Sequence, residues 1–221
     1  MKHILITLLS ALGVLTASAQ DETNNNLSID AAVNACIAMR DAVANNDSAA
    51  IKQSANALKS AGTTSFNSLR CKDDVDMEAP SLNGHLVFDE AFADSLAEGK
   101  DVYGKADDMN RSSAHRGQTS DGSILTKTCI VKAGKSSKYT FASKGHQELA
   151  VVAEAGGLVT MKIHVTNSAG LDRRFDDTKN VKKGMPQRKT SFELPTDRRN
   201  IVELEIVNCS NKDCSFVVIS N

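Results

Sequence analysis

The sequence predicts an α+β protein, an N-terminal helical hairpin segment followed by a C-terminal antiparallel β-sandwich of jelly-roll-like type. Three observations predict it. Apolar residues recur every 3.6 residues near the start, the period drops to two from about Ile124, and turn signals then divide the chain at the spacing of a sandwich.

Ahead of the helices stand Lys2 and His3, an apolar run from Ile4 to Leu15, and the small residues Ala17, Ser18 and Ala19. A basic start, about a dozen apolar residues and small residues before the cut make a signal-peptidase site. Residues 1–19 are therefore read as a signal peptide cleaved before Gln20. The run is shorter than the roughly 20 residues that span a bilayer, and no later segment is apolar for long enough, so no transmembrane segment is expected. The expectation is an exported protein, periplasmic or extracellular. Residues 20–26 are polar and Asn-rich and read as a flexible leader.

Residues 27–110 are read as mainly helical. Ile29, Ala32, Val33, Cys36, Ile37, Val43 and Ala44 mark an amphipathic helix over 27–45, with Ser28 available as its cap. Asn45, Asn46 and Asp47 make a turn and a second cap, and a further helix carries Ile51, Ala55 and Leu58 before Gly62 stops it. Leu82 to Phe88 has the composition of a short strand, and Asp89 to Leu96 that of a capped helix. Residues 111–123 are polar and read as the linker.

Residues 124–221 are read as the sandwich domain. Val159, Met161, Ile163 and Val165 alternate with Thr160, Lys162, His164 and Thr166, and Val202, Leu204 and Ile206 alternate with Ile201, Glu203 and Glu205. One face is apolar and the other meets water, as in an antiparallel sheet. Leu149–Ala153 and Phe216–Ile219 are continuously apolar and should be central. Asp172 to Lys189 shows no strand pattern and is expected to cross between sheets.

The five cysteines, Cys36, Cys71, Cys129, Cys209 and Cys214, all follow the leader. In an oxidising compartment they would pair, with one left over. Cys209 and Cys214 flank the turn-like Ser210–Asp213 between two strand-like runs, which predicts a disulfide across a hairpin. The pairing of Cys36, Cys71 and Cys129 stays open. There is no C-x2-C spacing and no nearby histidine pair, so neither zinc nor any other cofactor is expected.

Charge divides the chain. Residues 20–110 carry 16 Asp and Glu against 7 Lys and Arg, and residues 111–221 carry 11 against 18. Lys179, Lys182, Lys183, Arg188 and Lys189 fall close together, near Arg173, Arg174, Arg198 and Arg199. Lys182, Lys183, Arg188 and Lys189 are the candidate ligand-binding residues, a basic patch suited to an anionic glycan or envelope protein. No run of five consecutive like charges occurs, so no nucleic acid is expected as partner. With 4% aromatic residues and no Trp, a sugar platform of stacked Trp rings is excluded.

Catalysis finds little support. No Gly-x-Ser-x-Gly elbow, His-Glu-x-x-His or phosphate-cradling loop is present. His115, in a polar loop, is the single catalytic candidate, while His164 on the polar face of a strand reads as an exposed residue. Two carboxylate clusters, Asp73, Asp74, Asp76 and Glu78, then Asp172, Asp176 and Asp177, lack the EF-hand pattern and read as solvated loops. Asn208-Cys209-Ser210 and Asn110-Arg111-Ser112 match the N-glycosylation sequon.

The strand order Lys138–Ala142, Glu148–Glu154, Val159–Asn167 with its Asn-Ser-Ala-Gly turn, Phe192–Pro195, Ile201–Asn208 and Cys214–Ser220 resembles the bacterial pre-peptidase C-terminal modules. The resemblance spans about 90 residues. It implies a non-catalytic β-sandwich appended to exported proteins. The Asp-rich strand and the aromatic Gly-x-Tyr ending of those modules are absent, which leaves their calcium or ligand role without its residues.

These features predict an exported, non-catalytic binding or structural module of the envelope or extracellular space. A secreted hydrolase built around His115 is the alternative.

Overall fold

The computed structural model of the protein describes residues 28–72, 81–106, 123–176 and 184–221. The stretches read as signal peptide and leader, His115, Lys179, Lys182, Lys183, the carboxylates at 73–78, Asp177 and the Asn110 sequon lie outside the described residues.

Among the described residues three α-helices form where the 3.6-residue pattern and the caps place them: α1 (Asp30–Ala44), α2 (Ser48–Ser60) and α3 (Glu90–Ala97). Asp47 caps α2 by accepting the Ala50 N–H at 3.0 Å, and Asp89 caps α3 by accepting the Phe92 N–H at 2.7 Å. Ser28 does not cap α1; its hydroxyl turns to Asp30 instead. The start of α1 is held by the Ile29 N–H, which donates 2.9 Å to Glu148 Oε2, a carboxylate 119 residues further on.

Among the described residues ten strands follow in chain order: β1 (Thr63–Ser65), β2 (Arg70–Cys71), β3 (Ile124–Val131), β4 (Ser136–Ser143), β5 (Gly145–Ala153), β6 (Val159–Asn167), β7 (Asp172–Asp176), β8 (Gln187–Leu194), β9 (Asn200–Asn208) and β10 (Cys214–Ser220). They build two five-stranded sheets, β1-β3-β10-β5-β8 and β2-β4-β9-β6-β7. Every pair is antiparallel except β1 with β3. From β3 onward each connection crosses from one sheet to the other, apart from the β6–β7 hairpin. That crossing gives the jelly-roll-like sandwich of an α+β fold.

Three layers result. One core lies between the helices and the first sheet, joining Ile29, Met39, Leu58 and Phe92 to Ile124, Ile130, Val152, Val217 and Ile219. A second lies between the sheets, with Met161, Leu204, Ile206 and Phe216 fully buried. β5 and β10 sit in the middle layer and are covered on both faces, which is why their sequences run apolar without alternation. The first sheet is the helix-backed one. The other, through β4, β9, β6 and β7, turns its second face outward, with no described helix over it.

The structure departs from the sequence expectation in three places. Residues 63–71, inside the part read as helical, supply an edge strand to each sheet. Leu82–Phe88 is irregular rather than a strand. Its Leu82, Leu86, Val87 and Phe88 are buried, and its backbone is satisfied by side chains: the Phe88 N–H donates to Thr128 Oγ1 at 3.1 Å. Asp172–Lys189, expected to lack strands, contains β7 and the start of β8, both sheet edges. Their charged residues suit an edge, where charge discourages pairing with another chain.

Candidate functional site

The strand register writes the outer face of the open sheet as rows of side chains. One row runs Arg70, Thr140, Glu203, His164, Arg174 from β2 to β7, and beside it Lys138, Glu205 and Lys162 stand abreast. The acids hold the middle strand and the cations flank it. Lys72 lies 2.5 Å and Lys138 4.0 Å from Glu203, Lys162 lies 3.3 Å from Glu205, and His164 lies 2.9 Å from Asp172. The Lys72 contact, with Lys138 and His164 adding to it, holds the Glu203 carboxyl below the usual carboxylate range. A shallow cleft of about 300 Å³ opens here, lined by Lys138, Lys162, His164, Arg174, Glu203 and Glu205 over Ile163 and Phe175.

The predicted basic cluster is only half described. Arg188 and Lys189 are consecutive on β8 and therefore point to opposite sides of the sheet. Lys189 stands beside Ala150 on the helix side, 2.7 Å from Asp30 and 3.0 Å from Glu148, so it ties α1 to β5. Arg188 stands beside Val151 on the inter-sheet side and reaches Met185 Sδ at 3.1 Å. The hydrogen bonds from Lys189 and Ser28 depress the Asp30 carboxyl pKa. A depressed folded pKa stabilises above the unfolded value, and that stability is lost as pH falls through the folded one. Lys189→Met is accordingly expected to cost about 1 kcal/mol or less near neutrality, because Asp30 is well exposed. In denaturant titrations the gap from the parent should narrow as pH falls from about 5 towards 2. A gap independent of pH would mean that only the lysine's packing matters.

The hairpin expected between Cys209 and Cys214 does not exist, because β9 belongs to the open sheet and β10 to the helix-backed one. Both are free thiols. Cys209 stands on the outer side, 3.8 Å from Thr160 Oγ1, while Cys214 faces the inter-sheet core beside Ser210 Oγ at 3.3 Å. Gly184 leaves the room Cys209 occupies, since a Cβ there would come within 2.8 Å of the Cys209 Cβ. Burial pushes the Cys214 thiol pKa up, and that of Cys36, inside the helical core, to about 12.

A cluster that sequence reasoning missed joins His85, Glu154, Ser215 and Tyr103. His85 Nδ1 lies 2.9 Å from Glu154 Oε1, and Glu154 Oε2 accepts the Leu86 N–H and the Ser215 hydroxyl, each at 3.1 Å. Burial and then the Glu154 charge raise the Tyr103 pKa. A nucleophilic serine needs the imidazole between itself and the carboxylate. Here the carboxylate sits between serine and imidazole, and Ser215 is fully buried, its single hydroxyl proton shared between Glu154 Oε2 and Leu86 O, the latter at 2.8 Å. The cluster fastens the 82–88 segment to the sheet. Among the described residues no three metal-ligating side chains gather at one point, and no helix is long and apolar enough to cross a membrane.

No family model and no curated protein matches the sequence. Solved structures align with part of the chain. The Yersinia pseudotuberculosis-derived mitogen aligns over 44% of this chain and 84% of its own, at 11% identity and a TM-score of 0.34. An Escherichia coli PliG mutant, a periplasmic inhibitor of g-type lysozyme, aligns over 48% and 93%, at 18% identity and a TM-score of 0.28. TmCBM61, solved with β-1,4-galactotriose, aligns over 44% and 87%, at 10% identity and a TM-score of 0.25.

Proposed function

We propose that this chain is an exported, non-catalytic binding module of the periplasm or extracellular space that presents the outer face of its open sheet to a ligand. The supporting observation is the asymmetry of the sandwich. Helices bury the outer face of one sheet in a hydrophobic core, while the other carries ordered rows of charge around a cleft. A face kept only for solubility needs no such cleft, and ligand sites are concave with a few convergent polar groups. The one described serine–histidine–carboxylate cluster has its members in the wrong order for acyl transfer.

The test has two arms. The exported protein should begin at Gln20 on N-terminal sequencing, and a chain starting at Met1 outside the cytoplasm would refute the leader. The full exported chain should retain an envelope polysaccharide or protein without altering it, and Lys162→Glu with Arg174→Glu should abolish retention. Turnover of the retained material that disappears in His115→Ala would instead establish the hydrolase.

A further inference from the structure

We infer that the cleft takes a carboxylated oligosaccharide, with the Arg174 guanidinium anchoring the carboxylate and Glu203 and Glu205 accepting sugar hydroxyls; this rests on the binding-module reading above. Of the cations around the cleft, Lys138 and Lys162 already face the central glutamates. Arg174 makes no ion pair with any described residue. It stands at the β7 edge, beside His164, with its planar fork available for a bidentate acceptor.

The face is cationic in sum but not in its centre. Arg70, Lys72, Lys138, Lys162 and Arg174 outnumber Glu203, Glu205, Asp172 and Asp176 only narrowly, which suits a sparsely charged anion. A densely charged polymer, whether nucleic acid or an Asp/Glu-rich peptide, would lay negative charge on Glu203 and Glu205, which stand on the central strand. A sparsely charged polyol does not: it brings O–H donors to the carboxylates and its acid to the arginine. Arg174 and Glu203 lie two strands apart, roughly 10 Å, a span that one disaccharide covers. Affinity must come from polar groups, because the aromatic rings of this sheet turn inward. Tyr139 and Phe141 are buried, and Phe175 stacks on Phe192 with centroids 5.0 Å apart. Of these rings only Phe175 borders the cleft, and it is already stacked on Phe192.

Titration of the full exported chain with oligomers of galacturonate and of N-acetylneuraminate, with the same oligomers after carboxyl reduction, and with polyglutamate tests this. An acidic oligomer should bind, and binding should weaken as salt shortens the Debye length from about 10 Å at 0.1 M to 3 Å at 1 M. Arg174→Gln should weaken it about ten- to hundredfold while melting where the parent melts. Lys132→Gln, in the exposed β3–β4 turn, should leave it unchanged. Equal binding of the reduced oligomer, equal loss in both variants, stronger binding of polyglutamate, or no binding of any acidic oligomer overturns the assignment. Of these, reduced oligomer or polyglutamate retained without turnover and lost with Lys162→Glu leaves the module reading standing. Turnover of a bound oligomer overturns that reading instead.

Discussion

Residues 124–221 expressed alone should fail to give a cooperatively folded protein. The alternating pattern that begins at Ile124 makes this stretch look self-sufficient, but its helix-backed sheet is apolar on both faces. Ile124, Ile130, Val152, Val217 and Ile219 are covered by α1, α2, α3 and the 82–88 segment. Burying a branched side chain of this size contributes about 1.5–3 kcal/mol, so five of them match the whole net stability of a typical domain, about 5–15 kcal/mol. The truncation also removes β1 and β2, which pair with β3 and β4, and exposes an apolar patch that invites association. The measurement is thermal unfolding of 124–221 beside residues 20–221, with binding of a hydrophobic dye. A broad transition or aggregation, relieved by co-expressing 28–123, is the expected result. A sharp transition within a few degrees of the full chain would show that the sandwich is autonomous and the helices an accessory.

The same geometry explains which elements the sequence discloses. Helices α1 and α2 bury one stripe each, so their periodicity is plain, and Asp47 and Asp89 announce the caps they form. β6 and β9 bury one face and alternate cleanly. β5 and β10 alternate with nothing because neither face meets water, and the continuous apolar run correctly reads as a central position. β7 and β8 are edges rich in charge, so hydrophobic patterning does not reveal them. β1 and β2, at three and two residues, are too short to carry a period. Leu82–Phe88 misleads in the opposite sense: it is apolar enough for a strand, yet its backbone partners are Glu154, Thr128 and Ser215, which lie far along the chain.

The outer face of the open sheet was half legible for the same reason. Lys162, His164, Glu203 and Glu205 declare themselves outward by alternation. That Glu203 stands between Thr140 and His164, with Arg174 next in the row, depends on strand order and register, which local sequence does not carry. The hairpin expected at Cys209 and Cys214 failed on the same ground, since a short turn joining two strands does not say whether they share a sheet.

Asn208→Ala is expected to destabilise the protein by about 2–4 kcal/mol, far more than its place at a strand end suggests. Asn208 is fully buried where the chain leaves the open sheet for the helix-backed one. Its amide donates to Val131 O at 2.8 Å and Lys212 O at 2.9 Å, and its carbonyl accepts the Ser210 N–H at 2.9 Å and the Ser210 hydroxyl. One side chain thus shapes the crossover and joins β9 to the end of β3. Its removal leaves buried backbone groups without partners in a space that alanine does not fill, and each such group costs about 1–3 kcal/mol. The same burial keeps the Asn208-Cys209-Ser210 sequon from accepting a glycan in the folded chain. At about 2–4 °C per kcal/mol for a chain of this size, the melting temperature should fall by roughly 5–15 °C. Asn208→Asp should do no better, because a carboxylate would face Val131 O and Lys212 O where the amide donates. Denaturant titrations of both variants decide it, and a loss under about 0.5 kcal/mol, the range of an ordinary surface substitution, would mean that water replaces the side chain and that the crossover is held by its backbone alone.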